Sequence, residues 1–187
     1  MKKQKSYNIA VIAIFFAIML VIHFLTIFIF NLWPVPIRPT IVHIPVIIAS
    51  IIYGPRIGAT LGGLMGLLSM IVNTTILMPS SYLFSPFVEH GNLASLVIAF
   101  LPRILIGVFP YYIARFLHGK LALALAGAVG SVTNTIFVLL GIYIFFGHFY
   151  GNDFKNLLAV ILSANSLVEL IISIILTLAI VPVLKQR

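Results

Sequence analysis

Four polar side chains lie deep inside apolar stretches of the chain, where each of them needs a partner. Arg103 lies about 10 residues into one stretch, which is roughly 15 Å along a helix. Asn134 lies near the middle of another stretch, and Asn165 precedes Glu169 by four residues in the last one, so these two share a helix face. A charge at such depth costs several kcal/mol unless it meets an opposite charge, a polar group or water.

Two interpretations of these residues are open. An ion pair between Arg103 and Glu169 would lock the bundle, and a polar pocket open to the outside would hold a small hydrophilic molecule. Helix bundles rarely collect an arginine, a glutamate and two asparagines for packing alone, so we favour the pocket. His43, near the outer end of a stretch, could line this pocket or could bond a backbone carbonyl inside the core.

Pro102 directly precedes Arg103 in the stretch AFLPRILIGVFP, residues 99–110. Proline has no backbone N–H, so it frees a carbonyl one turn earlier and kinks the helix. Membrane helices tolerate this where a cavity or a neighbouring group satisfies the freed carbonyl. The pair therefore indicates a kink together with an anchor for a polar ligand.

The sequence carries none of the motifs of common enzyme classes. HExxH, GxSxG, the Walker lysine motif and the glycine-rich dinucleotide fingerprint do not occur, and cysteine is absent. The five histidines lack the spacing of metal ligands. We therefore expect no enzyme activity, no metal and no cofactor in this chain, and any uphill transport must draw its energy from ions or from another subunit.

The elements that position these residues are membrane helices. Of the 187 residues, 62% are hydrophobic and 7% are charged, and the mean hydropathy is +1.23, which is outside the range of soluble domains. Apolar runs of about 20 residues each cross a bilayer as helices. We predict an all-α bundle of six transmembrane helices, forming one domain over residues 1–187, with spans at 8–30, 41–53, 57–76, 93–115, 121–147 and 155–184.

The distribution of basic residues predicts the orientation of the bundle. Eight of them fall on the side of the termini, namely Lys2, Lys3, Lys5, Arg56, Arg115, Lys120, Lys185 and Arg187. Only Arg38 and Lys155 fall on the opposite side. By the positive-inside rule both termini are cytoplasmic, and topology explains the net charge of +8 without a nucleic-acid partner.

The predicted external loops are longer and richer in aromatic residues than the cytoplasmic turns. They cover residues 31–40, 73–92 and 147–155 and include Trp33, Tyr82, Phe84 and Phe87. These rings could form the walls or lid of an outward-facing cavity, or they could belong to an ordinary interfacial aromatic belt.

Two stripes of small residues predict close helix contacts. Gly58, Gly62 and Gly66 follow one another at four-residue spacing, which lets helix backbones approach, and we assign them to packing inside the bundle. A stripe of alanines begins near the cytoplasmic end of the first span and comprises Ala10, Ala13 and Ala17.

The chain resembles the substrate-binding S components of energy-coupling factor (ECF) vitamin transporters. The resemblance rests on the Ala13-IFF-Ala17 stripe, the Gly54-Pro55 turn and the long external loop before the fourth span. The stretches RPTIVHIPVIIASIIYGPRIGATLGGLMG (38–66) and SPF...LVIAFLPRILIGV (85–108) look most like the pantothenate-specific members.

The resemblance implies a vitamin-binding subunit in the plasma membrane of a prokaryote. Such subunits bind a vitamin from outside and dock through helix one on a transmembrane coupling subunit with two ABC-type ATPases, which use the ATP. Ala13 and Ala17, with Ala10 from the stripe, become the docking face, and loops 31–40 and 73–92 become the gate. For pantothenate, Arg103 could bind the carboxylate, with Arg38 as a second candidate. The hydroxyls and the amide are then assigned to Asn134, Asn165 and Glu169.

Other functions stay open at this point. The vitamin could instead be riboflavin, folate, hydroxymethylpyrimidine or pyridoxine, or cobalamin, and an Arg103–Glu169 pair would favour a neutral or cationic one. The chain could also be a small stand-alone secondary transporter, although neither inverted repeats nor coupling-ion residues are evident.

Overall fold

The computed structural model describes residues 2–32, 40–78, 80–150 and 164–185. All regular secondary structure within these ranges is helical. The elements in chain order are α1 (Lys2–Leu32), α2 (His43–Tyr53), α3 (Pro55–Thr75), a 3₁₀ helix (Ser81–Leu83), α4 (Leu93–Ile106), α5 (Phe109–Phe116), α6 (Gly119–Tyr150) and α7 (Ala164–Lys185).

Five helical stretches are long and apolar enough to cross a bilayer, which confirms the predicted helical membrane bundle. They cover Gln4–Ile29, Pro55–Thr75, Leu93–Phe116, Gly119–Gly147 and Ser166–Lys185. The predicted span 41–53 corresponds to α2, whose 11 residues extend only about 16 Å. Because the hydrocarbon core is about 30 Å thick, α2 alone does not cross it, and the count of six crossings stays a prediction.

The predicted fourth span, 93–115, is a broken helix. α4 ends at Ile106 and α5 begins at Phe109. Pro110 lies in the first turn of α5 and has no N–H to offer the carbonyl of Ile106, so the regular ladder stops there. The predicted last span, 155–184, is seen as α7 from Ala164 onward, and residues 155–163 lie outside the described ranges.

The short helix α2 forms the centre of the bundle. Its residues from His43 to Ile51 are all buried, and it packs against α1, α3, α4, α5, α6 and α7. A helix that is apolar on every side is buried either in lipid or in protein, and here protein surrounds α2. The single residue Gly54, at φ +96°, joins α2 to α3, and this left-handed conformation favours glycine.

The glycine stripe of α3 lies directly against the backbone of α4. A Cβ atom on Gly62 would collide with the carbonyl oxygen of Arg103, and one on Gly58 would collide with that of Gly107. A Cβ on Gly66 would come within 2.8 Å of the Ala99 carbonyl oxygen. The stripe therefore serves packing inside the bundle, as predicted, and it fixes the position of the Arg103 backbone.

Helix α1 lies at the edge of the bundle. It contributes one stripe of residues four apart to the core, Val11, Phe15 and Met19. The three alanines of the predicted docking stripe, Ala10, Ala13 and Ala17, are exposed on the remaining surface of the helix.

Candidate functional site

The side chain of Arg103 satisfies the carbonyl that Pro102 leaves without a partner. Arg103 is buried, with 8% of its surface exposed. Its Nη1 donates a hydrogen bond of 2.6 Å to the carbonyl oxygen of Ile98. In a regular helix residue 102 would donate its N–H to this same carbonyl, four residues earlier, but proline has no N–H.

A second contact of the Arg103 guanidinium is with an aromatic ring. Its central carbon lies 5.0 Å from the ring centroid of Phe84, within the range of a cation–π interaction. The Nε of Arg103 is buried and has no hydrogen-bond partner within the described part of the chain. The arginine is therefore held on two sides while one of its donors is unused.

Glu169 does not pair with Arg103 but with the backbone that leads into α2. Its Oε1 accepts a hydrogen bond of 2.6 Å from the N–H of Thr40. Arg103 is near enough to interact electrostatically with Glu169, yet among the described residues no ion pair within 4.0 Å joins the two. The carboxylate thus connects α7 to the segment before α2, and the Arg103–Glu169 ion pair, which was the alternative to a pocket, is not formed within 4.0 Å.

His43 and Asn134 each have buried polar atoms that lack a hydrogen-bond partner among the described residues. Both ring nitrogens of His43 and the Oδ1 of Asn134 have no partner within the described ranges. The backbone of Thr40 lies close to the His43 ring, although the geometry falls short of a hydrogen bond. Buried polar atoms without partners are costly, so each of them needs water, a ligand group or a neighbour.

Arg103 is the predicted site residue that lines a cavity on the α1 and α3 side of the bundle. The cavity has a volume of about 110 Å³. Its described lining consists of His23, Thr40, Val42, Met65, Leu68, Ser69, Val72, Asn73 and Arg103. This lining contains a permanent cation and no carboxylate, so the cavity favours an anionic group over a cationic one.

Sequence reasoning missed four polar residues of this cavity, His23, Thr40, Ser69 and Asn73. Ser69 and Asn73 are four residues apart and therefore share one face of α3, which is a signal that the sequence does contain. Asn73 Nδ2 donates to the Ser69 carbonyl, and the His23 Nε2 is buried without a partner within the described residues.

The remaining predicted residues are not gathered around the cavity. Asn134 and Glu169 lie outside its described lining. Asn165 belongs to α7, but its side chain lies outside what the structure describes. Trp33 and Arg38 also lie outside the described ranges. For all of them, contact with a ligand stays a prediction.

The loop after α3 forms a packed cap near Arg103. The hydroxyls of Thr74 and Ser85 lie 2.6 Å apart, and Ser95 donates to the Tyr82 carbonyl. These bonds hold the loop between the end of α3 and the start of α4.

The three predicted gate aromatics of this loop have different surroundings. Phe84 covers Arg103, whereas the Tyr82 ring meets Phe146 edge-on at 5.5 Å. Phe87 is 73% exposed.

Comparisons with known proteins give the family. The family model described as "ECF transporter, substrate-specific component" matches residues 7–181. The "Pantothenic acid transporter PanT" of Lactococcus lactis subsp. cremoris (strain MG1363) is 47% identical over 191 residues, covering 100% of this chain and 97% of that protein. The "Pantothenate transporter PanT" of Leuconostoc mesenteroides subsp. mesenteroides is 33% identical over 162 residues, or 76% of this chain and 73% of that protein.

These relatives are transporters rather than enzymes, and a transporter with several long apolar helices is a multi-pass protein of the prokaryotic plasma membrane. The family match begins within α1 and ends within α7, and the 47% identity extends over 100% of the chain. The chain therefore belongs to the substrate-specific S components of ECF transporters.

Proposed function

We propose that this chain captures pantothenate outside the cell and delivers it inward as the binding subunit of an ECF importer. The observation that carries the proposal is the buried guanidinium of Arg103 at a cavity whose described lining has no carboxylate. Pantothenate is an anion, and both relatives are described as transporters of it.

The groups of pantothenate match the donors and acceptors of the cavity. Its carboxylate would accept from Arg103, which still has the buried Nε to donate. Its amide and two hydroxyls would bond Ser69, Asn73 and Thr40, which offer a hydroxyl, a carboxamide and a further hydroxyl. Met65, Leu68 and Val72 of α3 would contact the methyl groups.

The other predicted residues take supporting roles in this proposal. Glu169 holds Thr40 in place, and Arg38 attracts the anion near the entrance. His43 and Asn134, whose buried polar atoms lack partners among the described residues, act from outside the cavity lining, and Phe84, Tyr82 and Phe87 close the entrance. Direct contact of Glu169 and the two asparagines with ligand and a gating role of Trp33 stay predictions.

The volume of the cavity implies that binding involves an opening movement. Ligand pockets usually measure about 300–1,000 Å³, whereas this cavity measures about 110 Å³. Helix α1 forms one wall with His23 and gives only a narrow stripe of residues to the core. We infer that α1 moves away from α3 when the vitamin enters.

We place the chain in the membrane as a single unit with both termini in the cytoplasm. This requires that α2 and the residues before it complete a sixth crossing. The exposed alanines of α1 then dock on the coupling subunit, and two partner ATPases use the ATP. The excess of basic residues on the side of the termini supports this orientation.

Calorimetric titration of the purified protein with a panel of vitamins tests the substrate and the site. We expect one-to-one binding of pantothenate, and a loss of at least about tenfold in affinity for Arg103→Ala, because charge-assisted hydrogen bonds are removed. Arg115→Ala is the matched control, since Arg115 is exposed and bonds Tyr111.

Wild-type affinity in Arg103→Ala would contradict the site. Tight binding of riboflavin or another vitamin in place of pantothenate would contradict the substrate. Ion-driven uptake by this chain alone, without ATPase subunits, would instead make it a secondary transporter.

Bulky substitutions on α1 test the docking face. We expect the double variant Ala13→Leu and Ala17→Leu to bind pantothenate normally but to stop ATP-driven uptake in a reconstituted complex, because close helix approach needs small residues. Ala179→Leu is the control, since Ala179 is an exposed alanine on α7. Normal uptake by the double variant would refute the docking face.

A further inference from the structure

Pro102 occupies a position where a proline is expensive. It is completely buried inside α4, and a proline within a helix costs about 3 kcal/mol because a backbone hydrogen bond is lost. Alanine or another ordinary residue would suit the helix backbone better, so helix propensity does not account for this residue. The group that gains from its presence is the adjacent Arg103.

The missing N–H of Pro102 makes the Ile98 carbonyl available to the arginine. With an N–H at residue 102, the helix ladder would donate to this same carbonyl, and Arg103 Nη1, now 2.6 Å from it, would have to share its acceptor. The Phe84 ring contacts the guanidinium from another direction. Together these contacts hold the arginine, while its Nε has no partner among the described residues and remains to donate a charge-assisted hydrogen bond to a carboxylate.

We propose that Pro102 is a positioning residue that gives the site its selectivity for a carboxylate over an uncharged group. It acts on Arg103 through the Ile98 carbonyl and touches no ligand itself. The inference rests on the proposed function for its ligand, but the arrangement it describes is a property of the chain without ligand. The two can therefore be tested separately.

The first test compares pantothenate with pantothenol, its uncharged alcohol analogue, on Pro102→Ala. We expect the ratio of the two affinities to fall by roughly threefold to tenfold, because a rotamer-rich side chain must then be immobilised during binding. A general effect of straightening α4 would lower the affinities for both ligands equally. The ratio of the two affinities would then stay unchanged, and this result would overturn the proposal. Pro182→Ala is the matched control, because Pro182 lies inside α7.

The second test needs no ligand. In protein labelled with ¹⁵N-arginine, a hydrogen-bonded Nη1 rotates slowly, so we expect the Arg103 Nη protons to give separate NMR signals. Arg103→Ala identifies these signals by their loss. In Pro102→Ala we expect them to merge, and unchanged signals would overturn the proposal. If the alanine variant does not fold, Pro102→Val also restores the N–H and fills more of the buried volume of the proline than alanine does.

The outcomes separate the inference from the function on which it rests. A wild-type protein that does not bind pantothenate contradicts the proposed function, and the NMR comparison then decides the role of Pro102 alone. Binding that depends on Arg103 but keeps its full selectivity in Pro102→Ala contradicts the role of Pro102 and leaves the function standing.

Discussion

The contact between α3 and α4 makes Gly62 a sensitive position at a distance from any ligand. In Gly62→Ala the new Cβ would collide with the carbonyl oxygen of Arg103 and would lie 2.7 Å from its carbonyl carbon and 2.9 Å from the Ile104 Cα. Ordinary contacts of a Cβ atom begin at about 3.4 Å. The α4 backbone at Arg103 must therefore move outward by about 1 Å, because the carbonyl oxygen lies closer to the new Cβ than either carbon does.

Gly63→Ala provides a matched control on the same helix, because a Cβ on Gly63 meets nothing within 4 Å. Both variants gain about 0.5–1 kcal/mol of helix propensity, so this gain cancels in their comparison. The remaining difference is the cost of overpacking, about 1–3 kcal/mol. We expect the melting temperature of Gly62→Ala to be several degrees below that of Gly63→Ala.

The displacement of Arg103 should also weaken ligand binding. We expect pantothenate affinity to fall by about tenfold in Gly62→Ala, which corresponds to the loss of one charge-assisted hydrogen bond, and to stay unchanged in Gly63→Ala. Thermal unfolding in detergent and calorimetric titration measure the two effects. Equal stability and equal affinity in the two variants would refute the close contact between the helices.

Two further predictions concern groups around the cavity. Glu169→Ala should lower the free energy of unfolding by about 1–3 kcal/mol, because the N–H of Thr40 loses its acceptor. Glu169→Gln keeps an acceptor oxygen and should therefore cost less. Equal melting temperatures for the two variants would contradict this. Phe84→Leu removes the cation–π contact with Arg103, which is worth up to about 2 kcal/mol when desolvated. We therefore expect pantothenate to dissociate faster in stopped-flow measurements. An unchanged dissociation rate would contradict a role for Phe84 in closing the entrance.

The sequence predicted much of the bundle because its signals are local. Hydropathy located the long apolar helices, and the spacing of Gly58, Gly62 and Gly66 indicated internal packing. The break between α4 and α5 was not predicted, although Pro110 carries a signal for it. Mean hydropathy is averaged over many residues, so one interrupted helical turn does not change it. Residues 93–115 were therefore predicted as one continuous helix.

The site was predicted less completely, because its partners come from different helices. Depth in the membrane drew attention to Arg103, which the structure places at a cavity, but it also suggested Glu169 as a partner, whereas Glu169 bonds Thr40. His23 and Ser69 were missed since each looks unremarkable within its own helix. Depth says how far along a helix a side chain lies, and it does not say which way the side chain faces.

The sequence by itself determined that this chain folds as a helical membrane protein, that its glycine stripe packs inside, and that Pro102 leaves a carbonyl beside Arg103. These properties follow from composition, from helical periodicity and from the missing proline N–H, all of which act within one segment. Only the tertiary structure decided that α2 lies at the centre, that Phe84 covers Arg103, and that the cavity opens between α1 and α3. These facts depend on which helix faces meet, and that is set by the packing of the whole bundle.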